Sequence, residues 1–330
     1  MATIKDVAKE ANVAISTVSN VLNNVDVVSK ETREVVMKAI EKLNYIPNLN
    51  GRYLKKSKTG FIGLFVTNLE GPFYSELINA MYTACCNYDY GLTIFLNNEK
   101  NLEESYQAIL GKRVDGAVIL NFTINESHIE NFKKFKMPVV FLDREVQSDT
   151  VTSVVIDNYN GVRQATQYLL KLGNTKIGYI HGYKDNYDEN MRYKGYSEVL
   201  IESGLGVDES YEIQGYFSEQ GAYNAIRAYI ASGKELPEAF IAANDQMAIG
   251  CIEGLKDEGI QVPGDISIIG FDNIEKTKYY TPTITTIDSS PKELGRVAIE
   301  NLIKIINKEE VESKKVPTKL IIRDSCDLRI

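Results

Sequence analysis

Apolar residues recur along this chain with two different periods. In the first forty-odd residues the period is helical. Ile4, Val7, Ala8 and Ala11 follow i, i+3, i+4, i+7 spacing and predict one buried helix face. Thr3 with Asp6 three residues later is a cap signal, and the carboxylate sits where the helix dipole favours it. Asn12 marks a turn, since Asn tolerates left-handed backbone angles. Val18, Val21 and Leu22 give a second short helix its buried side. The opposite side is Ile15, Ser16, Thr17, Ser19 and Asn20, short and uncharged, suited to reading base edges in a major groove. Two helices about a tight turn are the layout of a helix-turn-helix, and equally of a plain αα-hairpin in a helical core. Ser29 precedes a third helix with Val36, Ala39, Ile40 and Leu43 on its apolar face. Pro47 disfavours continuing that helix, so a separate segment begins there, ending in the basic tail 52–58.

From Phe61 onward short apolar runs alternate with helical patterns. Predicted strands cover 61–66, 92–96, 117–120 and 139–142, then a second set over 153–156, 177–180, 239–242 and 266–269. Helical patterns between them include Phe73–Tyr88, Gly161–Leu172, Gln220–Ile230 and Met247–Glu258. Alternating β and α reads as an α/β fold with parallel sheets and crossover helices. Two such series imply two similar lobes, split near Asp157–Gly161, although no internal sequence repeat is evident.

Ligands of open parallel sheets bind beyond the carboxyl ends of the strands. Those ends are polar here. Asn68 and Gly71-Pro-Phe73-Tyr74 follow the first strand, Asn97-Asn98 the second, Asn121 the third and Asp143-Arg144 the fourth. In the second set the same positions hold Asp157, Gly182, Asn244-Asp245 and Asp272-Asn273. Carboxylates and amides pair with hydroxyls, and Phe73 or Phe217 offers a face for an apolar sugar surface, so the cleft suits a neutral polyhydroxyl ligand. Each residue alone reads as readily as a loop cap or turn former; the case rests on the set.

Composition sharpens this picture in one place. The 330-residue chain carries a net charge of −8, which argues against nucleic acid. The charge is uneven, however. Residues 1–58 hold ten Lys/Arg against six Asp/Glu, a surplus of four, so the remainder carries −12. A basic end on an acidic body is expected when one small domain touches phosphates. The charged N-terminus has no apolar leader, and no run of roughly 18 apolar residues exists, so a cytoplasmic, membrane-free protein is expected. Cys85, Cys86, Cys251 and Cys326 form no C-x-x-C pair and read as reduced, buried thiols. Asn121-Phe-Thr and Asn125-Glu-Ser match a glycosylation pattern, which has no meaning without secretion.

Enzyme chemistry finds little footing. There is no phosphate-cradling G-x-x-x-x-G-K-[ST], and Gly204-Leu-Gly206 does not continue as a dinucleotide fingerprint. His128 and His181 cannot make a metal cluster between them. Asp143, Asp157 and Asp272 lack an adjacent nucleophile and are better explained as ligand partners. No metal, cofactor or catalytic residue is expected.

Residues 3–54 resemble the DNA-binding headpiece of the lactose-repressor/galactose-repressor family of bacterial transcription regulators. The resemblance is carried by Thr3-Ile-Lys-Asp-Val-Ala8, Ser16-Thr-Val-Ser19, Val21-Leu-Asn23, Val28-Ser29, Thr32-Arg33, Tyr45, Pro47-Asn48 and Leu54. It continues through Gly71–Leu77, Val114-Asp-Gly116, Phe141–Arg144, Ala242–Ala248, Val262–Asp272, Thr281–Thr286 and Arg323-Asp-Ser325, covering essentially the whole chain. It implies a helix-turn-helix headpiece over 1–46, a hinge helix and linker over 47–59, and a two-lobed effector domain over 60–330. That domain is like sugar-binding transport proteins, with lobe 1 about 60–158 and 290–318 and lobe 2 about 159–289 and 319–330; the strand Ile284–Ile287 leads the chain back and the helix Pro291–Asn307 belongs to the first lobe.

The implied function is a repressor that binds a pseudo-palindromic operator as a homodimer under control of a small effector, with a sugar expected. Alternatives are a purine corepressor, a phosphoprotein partner, or a free solute-binding protein. With no heptad extension at the C-terminal end, a dimer is favoured over a tetramer. The candidate DNA-binding residues are Thr3, Ala14, Ile15, Ser16, Thr17, Ser19, Asn20, Asn23, Ser29, Asn48, Arg52 and Leu54, with Leu54 as a minor-groove wedge. The candidate effector residues are Phe73, Tyr74, Asn97, Asn121, Asp143, Asp157, Asp188, Arg192, Phe217, Asn244, Asp272 and Ser289, of which the resemblance singles out Arg192 and Asp272. The chain departs from the family pattern at Asn20, where arginine is very common, at Ala14 (serine), Gly51 (alanine) and Ser289 (glutamine).

Overall fold

The cap signal at the start of the chain is realised. In the computed structural model, which describes residues 2–23, 25–46, 58–97, 100 and 102–329, Thr3 and Asp6 form a reciprocal capping box at the head of α1 (Ile4–Glu10). Thr3 N donates to Asp6 Oδ2 at 2.8 Å, and Asp6 N donates to Thr3 Oγ1 at 3.4 Å. Asn12 takes a φ of 50° and turns the chain into α2 (Ile15–Leu22). Ser29 caps α3 (Lys30–Lys42) by accepting from Thr32 N at 3.2 Å. Val7, Val18, Val21, Val36 and Ala39 close into one small core. Arg33 donates to the carbonyl oxygens of Val21 and Val25 at 3.4 and 3.3 Å, tying α3 to the end of α2. The chain divides into two compact units, Met1–Thr59 and Gly60–Ile330. Pro47, Asn48, Gly51, Arg52 and Leu54, the expected hinge helix, and Asn98 lie outside the described residues.

The larger unit carries two six-stranded sheets. The first is built from β1 (Phe61–Val66), β2 (Gly91–Leu96), β3 (Gly116–Leu120), β4 (Val139–Phe141), β5 (Val151–Ile156) and a late strand β11 (Lys314–Val316). Its order is β11-β5-β4-β3-β1-β2, and every described pairing is parallel. The second holds β6 (Ile177–His181), β7 (Glu212–Gln214), β8 (Ala239–Ala242), β9 (Ser267–Asp272), β10 (Thr285–Asp288) and β12 (Lys319–Ile321), in the order β12-β10-β9-β8-β6-β7. Only β12 runs antiparallel, against β10. Buried on both faces, β3, β5, β6 and β8 read as continuous apolar runs, as parallel strands must.

Crossover helices cover the sheets. α4 (Pro72–Asn87), α5 (Leu102–Leu110) and α6 (Glu126–Lys134) follow β1, β2 and β3. α7 (Asn158–Lys171), α8 (Tyr187–Glu202), α9 (Glu219–Ala231) and α10 (Asp245–Asp257) follow β5, β6, β7 and β8. α11 (Pro291–Ile306) follows β10 yet packs on α4 and β3 of the first sheet. One expectation is corrected. The run at 153–156 was grouped with the second set of strands, but β5 pairs with β4 and β11 in the first sheet. The chain changes sheet after Asp157, inside the expected split at Asp157–Gly161. Three short strands, β7, β11 and β12, were not foreseen.

Candidate DNA-reading face and effector site

Helix α2 presents the side expected of a reading helix. Val18 and Val21 are buried, while Ile15 is 44% exposed, Ser16 is exposed, and Thr17, Ser19 and Asn20 are partly so. No charged side chain lies on α2. Other candidates hold the fold. Thr3 and Ser29 are N-caps, and Ala14 occupies the cap position of α2 without a side-chain hydrogen bond. Asn23 donates to Ser19 O at 2.7 Å and closes the helix. A cap still leaves free N–H groups at a helix N-terminus, which suits a phosphate contact.

In the larger unit, register brings strand ends level. Val66 lies opposite Leu96 and Leu120, so Asn97 and Asn121 leave the sheet at the same edge, with Asp143 two residues after β4. Asn121 N donates to Asp143 Oδ2 at 2.8 Å, and Arg144 Nε to Asp143 Oδ1 at 3.0 Å. With its amide nitrogen toward the carbonyls of Val66 and Phe95, Asn97 accepts from Asn121 Nδ2 at 2.9 Å. Asn97, Asn121 and Asp143 are all buried.

The second sheet supplies the rest. Arg192, on α8, is 5% exposed. Its Nε donates to Asn158 Oδ1 at 2.8 Å and its Nη1 to Ala243 O at 2.5 Å. The guanidinium lies 3.8 Å from the Phe271 ring centroid, a cation–π contact. Its Nη2 stands 3.9 Å from Asp272 Oδ1, too far for a direct hydrogen bond. Asn158 also donates to Asp188 Oδ1 at 2.6 Å, and Ser289 Oγ donates to Asp272 Oδ1 at 3.2 Å. Asp272 takes a φ of 108°, in the region L-residues rarely adopt, which turns its carboxylate at the strand end.

Electrostatics ties the two halves together. Burial, opposed by Arg192 and reinforced by Asp143, pushes the Asp188 carboxyl up to about 6. Burial against Arg192 and Ser289 does the same for Asp272, also to about 6. Burial and the charges of Asp188, Asp272 and Asp143 push the Tyr74 phenol up to about 12. Tyr74 therefore stands among three carboxylates drawn from both sheets. Its ring meets Phe73 edge-on at 5.6 Å.

Other candidates are held elsewhere. Asp157 caps α7, accepting from Asn160 Nδ2 at 2.8 Å. Asn244 caps α10 and donates to the Phe217 carbonyl at 3.3 Å. Asp245 faces inward, accepting from Thr286 Oγ1 at 2.6 Å and Ile274 N at 2.8 Å. His181 is a buried strand-end residue. It is pinned between Glu189 and Glu212, each 3.0 Å from a ring nitrogen. Burial lowers its basicity, but the two carboxylates outweigh that and leave it raised. Asn158 and Phe271 were missed by sequence reasoning. Asn158 immediately follows a strand-end aspartate, and that position was the available signal. The thiols are all free, but Cys86 is exposed and Cys326 only partly buried, which corrects the expectation of four buried ones. Among the described residues no His/Cys/Asp/Glu group could hold a metal ion, and no helix is long and apolar enough to cross a membrane.

Comparison with known proteins places this architecture. Residues 3–48 match the description "Bacterial regulatory proteins, lacI family", and residues 166–326 match "Periplasmic binding protein-like domain". The chain is 34% identical over 337 residues to the HTH-type transcriptional repressor PurR of Pasteurella multocida, covering 100% of both chains. Among solved structures, the Lac repressor dimer bound to operator and the anti-inducer ONPF aligns with a TM-score of 0.84 at 26% identity, covering 98% of each chain. The transcriptional regulator CelR–cellobiose complex aligns with a TM-score of 0.74 at 28% identity, covering 98% of this chain and 100% of the other. A reading helix on a small capped bundle, a two-sheet α/β body, and relatives alike over the whole length lead to one conclusion: the chain belongs to the lacI family of bacterial regulatory proteins and is a DNA-binding transcriptional repressor.

Proposed function

We propose that operator affinity is controlled by a neutral, carbohydrate-like effector bound among Tyr74, Asp143, Asp188, Arg192, Asp272 and Ser289. The observation that carries this reading is the 3.9 Å gap between Arg192 Nη2 and Asp272 Oδ1. A ligand hydroxyl set beside the pair bridges it, accepting from the guanidinium and donating to the carboxylate. Three carboxylates in the cleft disfavour an anionic ligand, and Phe73 and Phe217 offer apolar faces. On this reading residues 1–46 form the headpiece, 47–59 the hinge and linker, and 60–330 the sensor. The chain works as a cytoplasmic homodimer, and α2 enters the major groove. A coupling of ~1–3 kcal/mol between effector and operator would give roughly 5- to 150-fold regulation.

A second reading, a purine-type corepressor, draws support from the same aromatic rings, which could hold a flat base, and from relatives that carry the name PurR. Melting the full-length protein with a panel of sugars and purines separates the two, because only a ligand of the folded state raises the melting temperature. Arg192→Ala and Asp272→Ala should each weaken the bound sugar by about 1–3 kcal/mol, since each leaves a buried polar partner unpaired. Operator affinity without effector should stay within a few-fold. Purines that stabilise the protein while sugars do not would replace the carbohydrate reading.

A further inference from the structure

At the carboxyl ends of β6 and β7 stands a pair of tyrosine rings that the site described above does not use. Tyr183 is 56% exposed and Tyr216 is 52% exposed, yet their ring centroids are only 5.5 Å apart. Tyr183 also lies 6.1 Å from Phe217, so the three rings are continuous. The backbone beneath them is held firmly. Gly215 N and Tyr216 N both donate to His181 O, at 2.9 and 3.1 Å. Tyr216 and Phe217 both adopt left-handed backbone angles, with φ of 57° and 55°. Two consecutive non-glycine residues in that region are sterically costly and need support from their surroundings. Gly182 is part of that support: a Cβ there would meet the Phe217 ring at 2.1 Å, so only glycine lets the ring lie on the strand end.

We infer that Tyr183 and Tyr216 form an outer platform for the second ring of an oligosaccharide whose first ring occupies the Arg192–Asp272 site. The inference rests on the carbohydrate reading above and deepens it from a sugar to a sugar of at least two units. Among the described residues neither tyrosine hydroxyl makes a hydrogen bond, and rings this exposed contribute little to folding. Side by side at the lip of a polyhydroxyl site, they offer flat apolar faces to the C–H surface of a pyranose and hydroxyls to its rim. Phe217 links the platform to the inner site through the backbone: its carbonyl accepts from Asn244, whose neighbour Ala243 accepts from Arg192 Nη1. Asn244 donates to the Phe217 carbonyl at 3.3 Å and caps the next helix, so the platform is anchored to the second sheet.

The test is calorimetric titration of the full-length protein with glucose and with the di- and trisaccharides of the α-1,4- and β-1,4-glucose series. One series should bind roughly tenfold more tightly as disaccharide than as glucose, with little further gain for the trisaccharide. Tyr183→Ala and Tyr216→Ala should each erase most of that step and leave glucose affinity unchanged. Tyr183→Phe should retain it, because the ring face rather than the hydroxyl is used. Both residues are more than half exposed, so the variants should melt with the wild type. Equal affinity for one and two sugar units overturns the platform while leaving the sugar site standing. So does an alanine variant that alters self-association but no sugar affinity. Binding by no sugar of any length overturns the carbohydrate reading and the platform together.

Discussion

Asp272 costs stability at the position proposed to hold the effector. Its carboxyl, ordinarily near 3.8, is pushed up to about 6 by burial, so the folded protein holds that proton more tightly than the unfolded chain does. The linked stability is therefore present below about pH 4 and is lost as pH rises through about 6. Asp272→Asn removes the charge without changing the shape. It should raise the melting temperature at pH 7.5, with the gap to the wild type narrowing toward pH 5 and effector binding weakened. A variant that melts below the wild type at pH 7.5 would contradict the strain assigned to this carboxylate. The same titration predicts that effector affinity in the wild type falls between pH 7.5 and pH 5, as the acceptor carboxylates of Asp188 and Asp272 take up protons. At the other end of the chain, Asn20 stands partly exposed on the reading side of α2. Asn suits the N6/N7 edge of adenine, whereas Arg pairs with guanine. Selection from randomised operators should return an A·T pair at the position read by Asn20, and Asn20→Arg should shift that position toward G·C by roughly 1–3 kcal/mol. The same half-site from both proteins would remove Asn20 from the base readers. Arg192 and Asp272 were named from sequence, but Asn158, which joins Arg192 to Asp188, was not. Its neighbour Asp157 carried the expectation instead and turned out to cap α7.

Elements with a full period of apolar residues were legible from sequence. β1 spans the predicted 61–66, and α4 spans Pro72–Asn87 against an expected 73–88. The short strands were not legible. β7, β11 and β12 have three residues each, too few to display alternation, and each includes charged residues, whereas the equally short β4 is the apolar run Val-Val-Phe and stood out. They exist because a neighbouring strand offers unpaired backbone groups. Close helix crossings were equally invisible. Gly195 lets α8 approach α7 so nearly that a Cβ would sit 2.4 Å from Tyr159 O. Gly195→Ala should therefore destabilise the larger unit by about 1–3 kcal/mol through overpacking. Because α8 also carries Asp188 and Arg192, effector affinity should fall with it. Denaturant unfolding together with titration checks both, and an unchanged midpoint would mean that the crossing is looser than the geometry requires.

At the scale of the molecule, Met1–Thr59 and Gly60–Ile330 are separate compact units, each with its own core. A chain beginning at Thr59 should keep effector binding and lose operator binding altogether, as a gel-shift and a calorimetric titration would show. A truncated chain that still retards operator DNA would break the assignment of DNA reading to the first unit. The sequence by itself determined the class of the fold, because periodicity is local: helical spacing over 4–43, continuous apolar runs from 61 onward, and polar residues where those runs end. It also determined the polarity of the chain, with its basic surplus at one end. Only the tertiary structure decided which sheet each strand joins, as β5 shows, since pairing depends on neighbours distant in sequence. It alone decided which strand-end polar groups converge and which are used up as caps. An Asp that caps a helix and an Asp that faces a buried arginine carry the same letter. What separates Asp157 from Asp272 is burial, a φ of 108°, and a guanidinium 3.9 Å away contributed by a residue eighty positions earlier.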